Sequence, residues 1–114
     1  MPYCELKTTV KVSKTEKSEL SHALAKVIEL IPGKSERWVM SSISDNVAMT
    51  FSGTDNTPCA MLVIKTFGEL LPEQYNLLTE KFCDLLHSFL KIPTSRTYVV
   101  YEPVSHWGWD CKNF

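Results

Sequence analysis

Leu20, Ala23, Leu24, Val27, Ile28 and Ile31 fall at i, i+3, i+4, i+7, i+8 and i+11. That spacing lays one continuous apolar stripe along a helix. Ahead of it, "SKTE" at 13–16 has the S-x-x-E form of a capping box, so the helix is expected to start there. "PG" at 32–33 is expected to stop it. Tyr75, Leu78, Phe82, Leu85, Leu86 and Phe89 repeat the helical spacing. This second helix is expected to begin at Pro72, a good first-turn residue, and to end at "IPTSR". Elsewhere the pattern changes. "YCELKTTV" (3–10), "RWVMSSI" (37–43) and "VAMTFSG" (47–53) read as strands, the last two joined by the turn-like "SDN". "CAMLVIKTF" (59–67) is the most apolar run and suits a buried strand. "TYVVYEPV" (97–104) reads as a final strand. The tail "SHWGWDCKNF" reads as short, aromatic and irregular.

A weak internal repeat organises these pieces. "IELIPGKSERWVMSS" follows the first helix and "FLKIPTSRTYVVYE" follows the second. Both run from an apolar helix end through Ile-Pro and a polar turn to Arg, an aromatic residue and Val. The two aromatics, Trp38 and Tyr98, lie 60 residues apart. The expected fold class is α+β, with two β-α-β units that form a four-stranded mixed sheet with two helices on one face. Residues 1–114 are expected to form a single domain. Such a sheet leaves its other face bare. Because "CAMLVIKTF" is apolar at successive positions, that face is expected to need a cover, most simply further copies of the chain.

Composition narrows the function classes. Of 114 residues, 44% are hydrophobic and 22% charged, and the net charge is −1. There is no basic surplus or stripe of the kind a nucleic-acid binder shows. No window approaches the roughly 18 apolar residues of a membrane span. The first residues lack an apolar signal core, so a cytoplasmic protein is expected. Cys4, Cys59, Cys83 and Cys111 form no CxxC pair and no zinc-module spacing. They are expected to be reduced thiols, with Cys4, Cys59 and Cys83 acting as small buried apolar residues. His22 and His87 read as ordinary helix histidines, and His106 is a candidate for the rim of a site near the tail. The three share no metal-ligand spacing, so neither metal nor organic cofactor is expected. "GKS" at 33–35 is no phosphate loop, because Ile28 stands where that motif needs glycine and a helix precedes it.

The start "MP" carries the most suggestive chemistry. Removal of Met1 would leave Pro2 as a secondary amine at the chain start. A terminal amine titrates near ~8, and an apolar site or a nearby cation lowers that value. A base near neutrality suits proton transfer.

Several pieces resemble one family in order and spacing over essentially the whole length. They are "MP", "GK" at 33–34, "MTFSGT" at 49–54, "PCA" at 58–60, "F-G" at 67–68, "SRTYVVY" at 95–101 and "GW...NF" near the end. With these the chain resembles the macrophage migration inhibitory factor family of the tautomerase superfamily, in a form that suggests a non-vertebrate, parasite or protist member. The resemblance implies a homotrimer with a pocket at each subunit interface and the N-terminal proline at its floor. It implies keto–enol tautomerisation of phenylpyruvate-like α-keto acids and dopachrome-type compounds. It also implies secretion without a signal peptide and cytokine-like action on a CD74-like cell-surface receptor. A secreted cytokine mimic, or a small-molecule binding trimer with little catalysis, stands as the alternative.

Residue by residue, the resemblance makes Pro2 the general base, with Tyr3 beside it. It makes Lys34 the cation for the substrate carboxylate, although the residues alone allow a solvated lysine at a helix end. Phe67 replaces an aliphatic residue whose backbone lines the pocket. Tyr98 matches a tyrosine that reaches into the neighbouring subunit's pocket, or else packs in its own sheet. Trp38, Trp107, Trp109 and Phe114 lie where the family places pocket walls. Val100 departs from an asparagine that contacts substrate in some members. One neutral hydrogen bond, about 1 kcal/mol, is thereby lost, which changes substrate preference rather than activity. Leu62 follows Cys59 where some members complete a CxxC, so thiol–disulfide chemistry has no support here.

Overall fold

A computed structural model describes residues 2–114. The expected removal of Met1 concerns a residue outside that range. Two β-α-β units are present. The first runs β1 (Pro2–Thr8), α1 (Lys14–Ile28) and β2 (Met40–Ser44), and the second β3 (Ala60–Phe67), α2 (Pro72–Leu90) and β4 (Thr97–Val104). Within each unit the strands are parallel. β1 and β3 join the units antiparallel, which gives the order β2-β1-β3-β4 and the mixed sheet expected.

The α1 capping box forms as expected. The Glu16 N–H donates to Ser13 Oγ at 3.1 Å, and the Ser13 N–H donates to Glu16 Oε1 at 3.0 Å. Two first-turn donors are thus satisfied before the helix is long enough to satisfy its own. At the other end α1 stops at Ile28, three residues short of the apolar stripe. Backbone N–H groups of Leu30 and Ile31 turn back to Val27 and Ile28, and Ile31 is still buried. α2 begins at Pro72 as expected. It ends where Lys91 adopts a left-handed conformation (φ 59°) and returns its N–H to His87.

One face of the sheet carries Cys4 and Leu6 from β1 and Leu62 and Ile64 from β3, all fully buried. They pack with Leu20, Leu24 and Ile28 of α1 and Leu78, Phe82 and Leu86 of α2 in one cluster. Full burial of each such side chain stabilises the fold by roughly 1.5–3 kcal/mol. The buried Thr8 and Thr66 hydroxyls donate to the carbonyls of Cys59 and Gly68 at 2.9 and 2.8 Å.

The opposite face is more polar than the run at 59–67 suggests. Register rows across it read Ser44-Lys7-Met61-Tyr98, Ser42-Glu5-Val63-Val100 and Met40-Tyr3-Lys65-Glu102. Its apolar part lies mainly along β3 and β4, where Tyr98 and Val100 are exposed.

Four strand expectations need correction. β1 starts at Pro2 and ends at Thr8, where Val10 turns away and its N–H donates to Thr8 Oγ1. Residues 36–38 form a 3-10 turn, so β2 begins only at Met40. Residues 47–53 form no strand but a loop with a single bridge between Phe51 and Thr54. Ser52 and Gly53 there take positive φ (54° and 74°), which breaks the extended run. The tail is not irregular. Gly108–Trp109 (β5) pairs with Lys112–Asn113 (β6) around a turn with positive φ at Asp110 and Cys111. Among the described residues no helix is long and apolar enough to cross a membrane.

Candidate active site

The register of β1 against β3 fixes the site. Pro2 pairs with Thr66 and Tyr3 with Lys65, so the start of β1 lies at the far end of β3. A cavity of about 670 Å³ opens there. Pro2 is at its floor and fully buried. Trp38 and Val39, from the 3-10 turn and the residue after it, form one wall with Met40. Val104, at the end of β4, and Trp107, Gly108 and Trp109 of the tail form another. Arg37, Tyr3 and Lys65 complete the lining.

The tail reaches the cavity because its hairpin closes on itself. The Phe114 N–H donates to the Trp107 carbonyl at 3.0 Å. Trp109 meets Trp38 edge to face at 5.0 Å and lies parallel to Phe114 at 6.3 Å. Phe114 in turn meets Phe67 at 5.6 Å. The four rings form a continuous series in geometries that aromatic pairs favour. Phe67 and Phe114 extend this series and are not among the residues that line the cavity within one subunit.

The Tyr3 hydroxyl is engaged with Ser42 Oγ at 2.8 Å and Glu5 Oε2 at 3.3 Å. Tyr98 pairs with Met61, five residues along β3 from Thr66. At ~3.3 Å per residue that separation is about 16 Å, beyond the reach of a tyrosine. Within one subunit Tyr98 is therefore remote from Pro2. Its ring lies 5.0 Å from Phe51 and the residue is 61% exposed.

Within one subunit Lys34 is not among the residues that line the cavity; its backbone N–H closes the turn after α1 onto Ile31. Arg37 and Lys65 line it instead. Lys65 has Glu102 as a partner at 3.8 Å. The Arg37 guanidinium lies 5.0 Å over the Trp38 ring. Sequence reasoning missed both residues: Lys65 sits inside an apolar run and Arg37 inside a polar turn. The repeated Arg-then-aromatic pattern after each helix was the available signal for Arg37.

The turn that carries Arg37 is tied to α1. Glu29 accepts the Glu36 N–H at 2.9 Å, and Glu36 is bridged by His22 and by Lys26 at 3.5 Å. His22 thus has a tether role beyond an ordinary helix histidine. His87 faces the Ile92 carbonyl at 3.3 Å, and His106 is exposed and does not line the cavity.

Burial pushes the Cys4 thiol up to about 12, so this close neighbour of Pro2 stays protonated at neutral pH. Cys59 is buried as expected, whereas Cys83 is only half-buried and Cys111 is exposed. Among the described residues no three metal-ligating side chains come together.

The family model for macrophage migration inhibitory factor matches residues 1–112. The macrophage migration inhibitory factor homolog of Brugia malayi is 33% identical over 104 residues, 91% of this chain and 89% of that protein. The Mus musculus macrophage migration inhibitory factor is 30% identical over 99 residues, 85% of this chain and 82% of that protein. The crystal structure of Leishmania major MIF2 superposes with a TM-score of 0.91 at 28% identity, covering 100% of this chain and 97% of that one. The homologue from Prochlorococcus marinus superposes at 0.80 with 30% identity, covering 98% of each chain. With its mixed sheet, paired β-α-β units and full-length match, the chain belongs to the macrophage migration inhibitory factor family.

Proposed function

We propose that the protein is a keto–enol tautomerase, with the Pro2 amine as general base once Met1 is removed. The observation that carries this reading is a fully buried Pro2 at the floor of an aromatic-walled cavity. The apolar walls and the cations Arg37 and Lys65 all disfavour a protonated amine there. A terminal amine, near ~8 when free in water, moves toward neutrality in an apolar or cation-flanked setting, where a base both exists and binds a proton usefully.

The reaction needs no cofactor. The amine takes a proton from the carbon next to the keto group, and the electron pair of that C–H bond forms the enol double bond. The carbonyl oxygen takes the negative charge and gains a proton from water. The substrate class is a phenylpyruvate-like α-keto acid or a dopachrome-type compound, whose ring suits the tryptophan walls. The resemblance supports a homotrimer in which Tyr98 enters a neighbour's cavity. The high exposure of Tyr98, at the end of the sheet away from Pro2, supports the same arrangement.

The test is phenylpyruvate tautomerase rate on protein whose mass shows Pro2 first, beside a Pro2→Gly variant. High activity that collapses in the variant is expected. Activity unchanged by the substitution would remove Pro2 from the chemistry.

A further inference from the structure

The turn that carries one wall of the cavity has little of its own to hold it. Glu36–Trp38 is a single 3-10 turn with no buried residue; Trp38 belongs to it, and Val39 and Met40 of the lining follow. What fastens it lies on α1. His22, Lys26 and Glu29 stand at i, i+4 and i+7, on one face of that helix, and all three engage Glu36. His22 Nδ1 meets Glu36 Oε2, Lys26 Nζ lies 3.5 Å from Glu36 Oε1, and the Glu36 N–H donates to Glu29 Oε2 at 2.9 Å. Lys26 also bridges Glu29 at 3.1 Å. Both carboxylate oxygens of Glu36 and its N–H are thus taken up by α1. A recess of about 360 Å³ opens beside the His22–Glu36 contact, and its other lining residues, Ser18, Ser21, Ala25, Val39 and Ser41, carry no charge.

We propose that His22 is a positioning residue of the cavity wall, whose protonation tightens the turn so that aromatic ligands bind more firmly in mild acid than in mild alkali. The proposal rests on the tautomerase reading only for its link to turnover. Histidine is the one side chain of this group that changes charge between about pH 5 and 8. As a cation it pairs with the Glu36 carboxylate; as a neutral ring it offers that oxygen only a neutral donor, which holds less strongly. The other charged groups around it are Glu36 and Arg37 on the turn, Glu19, Lys26 and Glu29 on α1, and, beyond Lys26, Lys81 and Asp84 of α2; β2 brings none. Carboxylate, ammonium and guanidinium groups do not ordinarily titrate in the histidine range. The held turn favours the protonated ring. By linkage, the ring's contribution to holding the turn is present at the acid end of that range and is lost as pH rises through it. Below about 4.5, the ordinary value beneath which the Glu29 carboxyl is held, the trend reverses as the Glu29 contact is lost. The His22 and Glu36 side chains are 61% and 36% exposed, so the effect has the few-fold scale of a surface ion pair.

The test compares the unaltered full chain with His22→Gln, which keeps an N–H donor for Glu36 but neither carries charge nor titrates. The probe is 3-phenylpropanamide, neutral throughout, and its binding is measured by calorimetry at about pH 5.5 and about pH 8, the two sides of the histidine range. The unaltered chain is expected to bind about two- to five-fold more tightly than the variant at the lower pH, and equally at the higher. Lys26→Gln should weaken binding at both and leave the pH trend in place. In turnover, His22→Gln should raise KM for phenylpyruvate at the lower pH and leave kcat nearly unchanged. Protection of the Glu36 amide, corrected for the intrinsic exchange rate at each pH, reads the turn without a probe and should follow the same course. A ratio of the two chains that is equal at both pH values would overturn the proposal, as would a trend that the variant keeps. If the amide binds at neither pH, Glu36 protection decides in the same terms. A His22-dependent trend without any phenylpyruvate turnover would sustain the proposal and sink the tautomerase reading. Turnover that Pro2→Gly abolishes, with no His22-dependent trend, would do the reverse.

Discussion

After each helix the chain makes a 3-10 turn that carries an arginine, and the two arginines meet opposite surroundings. In Glu36–Trp38 the Arg37 side chain lies over Trp38 at 5.0 Å and faces a cavity. In Thr94–Arg96 the Arg96 side chain lies 5.5 Å from the Phe51 ring and faces a loop. Its Nε donates to the Pro58 carbonyl, Nη1 to Phe51 O and Thr54 Oγ1, and Nη2 to Thr54 O and Thr57 O. All five donors of a guanidinium are thus used, at 3.0–3.2 Å. The same residue in the repeated position is structural in one unit and free in the other. The difference lies in what the chain brings opposite each turn. The loop at 51–58 supplies carbonyls to Arg96, whereas Arg37 has the Trp38 ring and an open cavity beside it.

The largest expected effect separates the two by stability. Arg96→Ala removes five hydrogen bonds and frees the loop, and should cost about 3 kcal/mol in denaturant unfolding. Arg37→Ala removes none and should cost less than about 0.5 kcal/mol. Equal losses would erase the distinction. Next in size is the wall behind Arg37. Trp109→Ala deletes the contacts to Trp38 and Phe114 and should weaken 3-phenylpropionate binding about ten-fold, measured by calorimetry. Unchanged affinity would mean that Trp38 holds its position without support.

Acid should act on one turn before the other. The Glu29 carboxyl is held below its ordinary value of 4.5, first by the Glu36 N–H and then by the Lys26 ammonium. A carboxyl with a lowered folded pKa stabilises its contacts above the ordinary range, and that stabilisation is lost as pH falls through the folded value. The Arg37 turn should therefore loosen below about pH 4.5, while the neutral carbonyls around Arg96 do not titrate. Amide exchange of Glu36 against Thr54 along an acid titration reads the two turns separately. Simultaneous loosening would show that Glu29 is not what fastens the first. The smallest effect belongs to the turn itself. Ser35→Ala removes the side chain that accepts the Arg37 N–H at 3.3 Å and should cost about 0.5 kcal/mol in a thermal melt.

The same contrast explains what could be read from residue order. Both helices follow from local signals, the Ser13/Glu16 box and Pro72, joined to a 3.6-residue apolar period. The pairing into β-α-β units follows from the repeat after each helix. The stretch 47–53 misleads because "VAMTF" suits a strand locally, whereas Arg96, some 45 positions away, takes the Phe51 and Thr54 oxygens. Pro2, Trp38, Trp107 and Trp109, which the resemblance puts around one pocket, lie on the lining of one cavity. The place of Arg37 and Lys65 on that lining was not legible, because it depends on how β1 registers with β3 and where the tail hairpin folds back.

The central proposal is that a free Pro2 amine performs the chemistry while the aromatic walls of the cavity hold the substrate. The most direct measurement pairs phenylpyruvate turnover with 3-phenylpropionate binding, on protein that begins at Pro2 and on the same chain with a residue retained before it. The account predicts turnover lowered at least about a hundred-fold by the extension, the scale of a general base, with binding within a few-fold. Turnover that survives the extension would contradict it and leave the chain a binding or signalling protein whose proline has no catalytic part.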